Sequence, residues 1–238
     1  MNRFVLFSVL SSACVFPTET TIEHSDVEVG TPVDAISLDI HAGDVTVIVG
    51  DVERTQVNRI LRYGRNPPEL DAFMDGSTLV LEARCPGLGQ CSVDHEIVLP
   101  RSAALDASTG SGNVLVIGLL DDVVIETGSG DVDLEDIEGE LVVGTGSGDV
   151  DGRGLTAATV SVDTGSGDVD LRLDAAPSDL FVNTGSGDVG AVLPSGSYRI
   201  KTSTGSGDVS IDGLTSDSTS NDHIQIETGS GDINIRGI

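Results

Sequence analysis

Thr164-Gly165-Ser166-Gly167-Asp168-Val169-Asp170-Leu171 decides the fold of this chain. Nearly the same six leading residues recur from Thr109, Thr127, Thr145, Thr164, Thr184, Thr204 and Thr228, at intervals of 18, 18, 19, 20, 20 and 24 residues. A unit of that length is too short to bury a core of its own. It suits one coil of a solenoid, which hides its apolar face only by stacking on neighbours.

The residues around each corner alternate with period two. Val132-Asp133-Leu134, Val169-Asp170-Leu171, Val209-Ser210-Ile211 and Ile233-Asn234-Ile235 follow it, and pairs such as Leu141/Val143 and Ile224/Ile226 precede it. Such alternation puts Val, Ile and Leu on one face of a strand and the polar residues on the other. Stacked units align the strands in parallel about 4.8 Å apart, with aliphatic columns inside. The expected fold is all-β, a single parallel β-solenoid (β-helix or β-roll) with coils of about 18–20 residues. The usual crossover preference makes it right-handed. Ala42 to Val49 is a worn copy of the same unit, so the pattern begins well before the regular array.

Every letter of the corner has a structural reading. The glycines permit positive φ or close approach between coils. Thr and Ser bond along their columns or to corner amides, and Asp accepts from corner N–H groups as in an Asx turn. A rival reading is a calcium ladder of Asp131, Asp149, Asp168, Asp188, Asp208 and Asp232. Unit charges 4.8 Å apart repel by about 0.9 kcal/mol even in water, and a cation between rungs would relieve that. Asn113 stands in the first copy, keeping the acceptor and losing the charge, and the irregular spacing breaks the nonapeptide period of calcium-binding rolls. Both facts favour hydrogen bonding, with no resident cofactor and Ca2+ as the alternative.

Composition narrows the partners. A net charge of −27 repels nucleic-acid backbones and anionic membranes. With 3% aromatic residues and no Trp, stacked-ring platforms for sugars or single strands are not expected. Gly185 to Gly190 fits a dinucleotide GxGxxG but opens no helix, and no Ser lies in a GxSxG elbow. No catalytic residue is assigned. A polysaccharide-active β-helix enzyme is the enzymatic alternative. Arg54, Arg59, Arg62, Arg65, Arg84 and Arg101 are expected to pair with acidic neighbours near the first coils.

Residues 1–13 read as a signal peptide of lipoprotein type, with Arg3 before the apolar run Phe4 to Leu10 and small residues before Cys14. Cys14 is the expected lipidation site and the sole membrane attachment. Residues 14–33 read as a polar tether, 34–108 as divergent N-terminal coils, and 109–238 as the repeat array. Arg65 to Ala72, with Pro67 and Pro68, reads as a loop. Cys85 and Cys91 flank Pro86, Gly87 and Gly89, a loop that can fold back into a local disulfide. Thr215 to Asp222, inside the longest interval, reads as an exposed loop.

The corner units, together with Val93-Asp94-His95-Glu96-Ile97-Val98-Leu99-Pro100 leading into Leu105 to Val114, resemble the bacterial DUF4097 family of adhesin-like β-repeat proteins over roughly residues 34–238. GIN-type adhesin-head domains are similar. The resemblance implies an exported, non-enzymatic envelope protein anchored at the outer membrane or cell surface. It would meet an envelope or extracellular protein or glycan, or take part in envelope-stress sensing.

Overall fold

The computed structural model describes residues 20–87 and 90–238. The expected signal peptide and Cys14 lie outside the described residues. All regular structure among the described residues is β, in two mixed sheets of 11 strands each.

Each coil gives one strand to either sheet. Coil 1 is β2 (Ala35–Ile40) and β3 (Val45–Val49), preceded by β1 (Thr21–Val29). Then come β4 (Thr55–Tyr63) and β5 (Glu69–Asp75). Coil 2 is β6 (Thr78–Arg84) and β7 (Cys91–Leu99), coil 3 is β8 (Ala104–Thr109) and β9 (Val114–Ile117), and coil 4 is β10 (Val123–Thr127) and β11 (Val132–Glu135). Coil 5 is β12 (Leu141–Thr145) and β13 (Val150–Leu155), coil 6 is β14 (Thr159–Thr164) and β15 (Val169–Leu173), and coil 7 is β16 (Asp179–Thr184) and β17 (Val189–Leu193). Coil 8 is β18 (Ser197–Thr204) and β19 (Val209–Asp212), followed by β20 (Thr215–Ser216), and coil 9 is β21 (His223–Thr228) and β22 (Ile233–Gly237).

Corner residues stack in register. Thr127 pairs with Thr109 and Thr145, and Val132 with Val114 and Val150. The inward columns are buried, with Val123, Ile125, Val162, Val169, Val182, Val189, Ile226 and Ile233 all at 0% exposure. Burying each such side chain contributes roughly 1.5–3 kcal/mol. The solenoid is therefore held mainly by this continuous aliphatic column between the sheets.

The coils do not stack in chain order. β22 lies between β17 and β19, and β21 between β16 and β18. The chain thus leaves coil 7, builds coil 8 one slot away, and returns through coil 9 to fill the gap. Coil 1 is likewise sandwiched between coils 2 and 3, since β2 pairs with both β6 and β8 and β3 with both β7 and β9. Order in space is therefore 2-1-3-4-5-6-7-9-8. Thr215 to Asp222 is exposed or half-buried as expected, and it is the crossover that carries the chain back over the edge of β18.

Three expectations need correction at the N-terminal end. A wholly parallel solenoid does not describe it, because β1 pairs antiparallel with β4, β4 with β7, and β5 with β6. The span 14–33 is not all tether: Thr21–Val29 form β1, with Ser25, Val27 and Val29 turned toward the core and His24, Asp26 and Glu28 outward. Glu69–Ala72 belong to β5 rather than to a loop, since Leu70 and Met74 pack against the core. The physical reason is common to all three. Once the coils stop, the last parallel strands need partners, and antiparallel strands cover their edges, β5 through a tight turn onto β6 and β4 and β1 from further along the chain.

Candidate functional site

The corner aspartates form one unbroken hydrogen-bonded ladder. The Asp149 amide donates to Asp131 Oδ1 at 3.0 Å, Asp168 to Asp149 at 2.8 Å, and Asp188 to Asp168 at 2.7 Å. Asp232 then donates to Asp188 at 2.7 Å and Asp208 to Asp232 at 2.8 Å. Toward the other end, Asp131 donates to Asn113 Oδ1 at 2.9 Å, Asn113 to Asp44 at 2.8 Å and Asp44 to Asp94 at 3.2 Å. The bonds run between coils, not within an Asx turn. Asn113 serves as well as Asp because only the acceptor oxygen is used.

Thr and Gly complete the bracket. The corner Thr are buried, Thr204 of coil 8 only partly, and each donates its hydroxyl to the second-glycine carbonyl of the coil beneath, as in Thr184 to Gly167 at 3.1 Å and Thr228 to Gly187 at 3.0 Å. Gly187 has φ +152°, and a Cβ there would strike the Gly167 carbonyl. Among the described residues no cluster of three or more His, Cys, Asp or Glu is arranged to hold a metal.

A more individual surface lies on the outer face of the sheet that contains β11, β13, β15, β17 and β22. One outward column carries Asp133, Asp151 and Asp170, then Gly190 and Asn234. The next carries Glu135 and Arg153, Arg172 opposite Val192, and Arg236. All of these but Glu135 line a groove of about 570 Å³. Gly190 opens it, because a Cβ there would run into Asp170 Oδ1. Arg153 Nη2 meets Glu135 Oε2 at 2.8 Å and Arg172 Nε meets Asp174 Oδ1 at 3.3 Å, all with substantial exposure. Partial burial raises the Asp151 carboxyl above its usual range, and the neighbouring Asp170 and Asp133 carboxylates add to this. The face therefore offers acceptors in one row and planar guanidinium donors in the next, a pattern suited to a polar, charged partner. Sequence reasoning passed over these arginines. Their signal is that each stands four residues after a corner Asp, at Asp149, Asp168 and Asp232.

The N-terminal cap holds a second unusual feature. Arg59 on β4 and His95 on β7 are direct cross-strand partners, and both are buried. Arg59 Nη2 donates to Ser25 Oγ at 3.0 Å, while its Nε and Nη1, and His95 Nε2, have no partner among the described residues. Burial, reinforced by the Arg59 charge, pushes the His95 imidazole down to about 4. Of the other arginines at this end, Arg62 pairs with Asp94, Arg84 with Glu82 and Arg101 with Asp34 as expected, whereas Arg54 and Arg65 form no ion pair among the described residues. Cys85 and Cys91 form a disulfide with a Cα–Cα distance of 5.7 Å.

The Toastrack DUF4097 family profile matches residues 86–236. No curated protein matches the chain. Among solved structures, a "Putative lipid binding protein" from Parabacteroides distasonis superposes with a TM-score of 0.52 at 13% identity, over 91% of this chain and 96% of that one. A "putative adhesin" from Bacteroides fragilis gives 0.48 at 12% identity, over 93% and 99%. A "putative cell adhesion protein" from Clostridium sporogenes gives 0.38 at 17% identity, over 92% and 100%. At 13% identity the Parabacteroides likeness speaks for the fold.

Proposed function

The chain belongs to the Toastrack DUF4097 family, and from that premise we propose that it is a non-enzymatic interaction scaffold of the bacterial cell envelope. In this reading the mature chain is tethered through lipidated Cys14 and winds as a right-handed solenoid. The grooved face of Asp133, Asp151, Asp170, Arg153, Arg172 and Arg236 engages an envelope or extracellular protein or glycan. The observation that carries the reading is the adjacency of the carboxylate and guanidinium columns across coils 4 to 7 and coil 9. The corner repeats are brackets that hold those columns in register, so the Asp ladder is structural and calcium has no role in it.

The test is capture from envelope extracts with the mature chain, compared with an Arg153→Glu, Arg172→Glu, Arg236→Glu variant. These side chains are exposed, so the variant folds. Partners retained by the native chain and lost by the variant support the reading. Equal capture by both places the contact elsewhere.

A further inference from the structure

Among the described residues only the two-residue strand β20 lies beyond coil 8 at this end of the solenoid. The inward positions of coil 8 on β19, Val209 and Ile211, are 44% and 42% exposed, whereas Ile233 and Ile235, their register partners one coil inside, are at 0% and 2%. The main chain is equally unfinished. Gly231 and Ile233 donate to Ser206 and Asp208 of coil 8, but among the described residues the equivalent amides of Gly207 and Val209 have no coil beyond them. Asp208 is the last rung of the ladder, and its own carboxylate receives no amide among the described residues. On β18 only Ser197 and Tyr198 are covered, by β20. The opposite end of the molecule, by contrast, is closed by antiparallel β1, β4 and β5.

We propose that this end is the contact between two copies of the chain, related by a two-fold axis that sets β18 of each antiparallel to β19 of the other. Three observations favour a second copy. First, the main-chain groups of Val209 point off the free edge, and those of Tyr198 do too, since its carbonyl takes the Asp217 amide there. By alternation Ile211, Ile200 and Thr202 do the same, so both strands offer the complementary narrow pairs of an antiparallel ladder. Second, pairing inward residues with inward residues leaves two registers beside the corner. Ile200 opposite Ile211 brings Arg199 opposite Asp212, and Thr202 opposite Ile211 brings Lys201 opposite Asp212. Either register sets a cation against an anion, twice by symmetry, whereas the alternative two-fold would set Arg199 and Lys201 against themselves. Third, residues 194–222, which include the crossover lying over β18, carry Arg199 and Lys201 against Asp208, Asp212, Asp217 and Asp222, a net of −2 on a chain of net charge −27. Two copies meet here with little repulsion.

The end is only one coil across, smaller than the about 800 Å² per partner of a standard stable interface. The dimer therefore dissociates on dilution. Sedimentation velocity of the full chain over a concentration series tests it, with thermal unfolding run on each variant to confirm the fold. The native chain shifts from monomer to dimer as concentration rises. Asp212→Arg weakens the dimer by about tenfold or more by facing cations with a cation, and Ile211→Lys does the same by charging the apolar centre. Combining Asp212→Arg with Arg199→Asp and Lys201→Asp restores association. A native chain that stays monomeric throughout overturns the proposal, and so does a dimer that Asp212→Arg and Ile211→Lys leave intact.

Discussion

Asp188 Oδ1 accepts the Asp232 amide at 2.7 Å, although 44 residues separate the two in sequence and coil 8 is built between them. The C-terminal coil is an internal layer of the solenoid. Its Ile224, Ile226, Ile233 and Ile235 are buried on both sides, against coil 7 and against coil 8.

Deleting residues 223–238 therefore removes a layer from within the stack. Four buried isoleucines at roughly 1.5–3 kcal/mol each amount to about 6–12 kcal/mol, comparable with the whole stability of a typical domain. Stability in a solenoid is nearest-neighbour in character, so the loss should fall on coil 8 first. Hydrogen exchange of the truncated chain should show residues 194–222 unprotected and coils 3 to 6 still protected. Uniform protection through coil 8 would contradict the stacking order.

That order was the least legible part of the fold. Corners, inward columns and the extent of the array follow from period-two alternation and the recurring Gly-Asp corner. Yet Ile233 and Val209 are equally good neighbours for Val189, because each column repeats the same side chains and the same ladder acceptor. Only the long interval containing Thr215 to Asp222 hinted at a crossover, and a loop length does not say which slot the chain returns to. At the N-terminal end β4 was obscured by polar residues: Arg59 occupies an inward position, where period-two reading expects an aliphatic. The groove was obscured for a different reason, since its arginines are single residues in separate repeats and meet only when the coils stack.

The corner glycines are not equivalent to glycines in the strands. Gly187→Ala forces a Cβ onto the Gly167 carbonyl at φ +152° and should destabilise the chain by more than about 2 kcal/mol in urea unfolding. Gly144→Ala meets nothing closer than the Ile125 carbonyl at 3.9 Å. It lies within β12, where Ala replaces a strand glycine at a gain of about 0.5–1 kcal/mol.

Acid should loosen the N-terminal cap. His95 is held neutral in the fold, with its pKa lowered to about 4 from an ordinary 6.5. Between those values the unfolded chain binds the extra proton, so stability rises with pH there. The contribution is fully present above about pH 6.5 and is lost as pH falls toward 4. Urea midpoints across that window should drop for the native chain and flatten for His95→Leu. Parallel profiles for the two proteins would remove His95 as the cause.

The central claim is that the Thr-Gly-Ser-Gly-Asp corner is a hydrogen-bonded bracket between coils and not a cation site. Asn113 already fills one rung with a neutral acceptor. The direct measurement is the melting temperature of the native chain and of an Asp131→Asn, Asp149→Asn, Asp168→Asn, Asp188→Asn variant, each with calcium and with a chelator. The bracket predicts no calcium dependence in either protein and a variant at least as stable as the native chain, because the ladder bonds persist and the repulsion between rungs is gone. A native melting temperature that falls on chelation, with a variant that no longer responds to calcium, would contradict it.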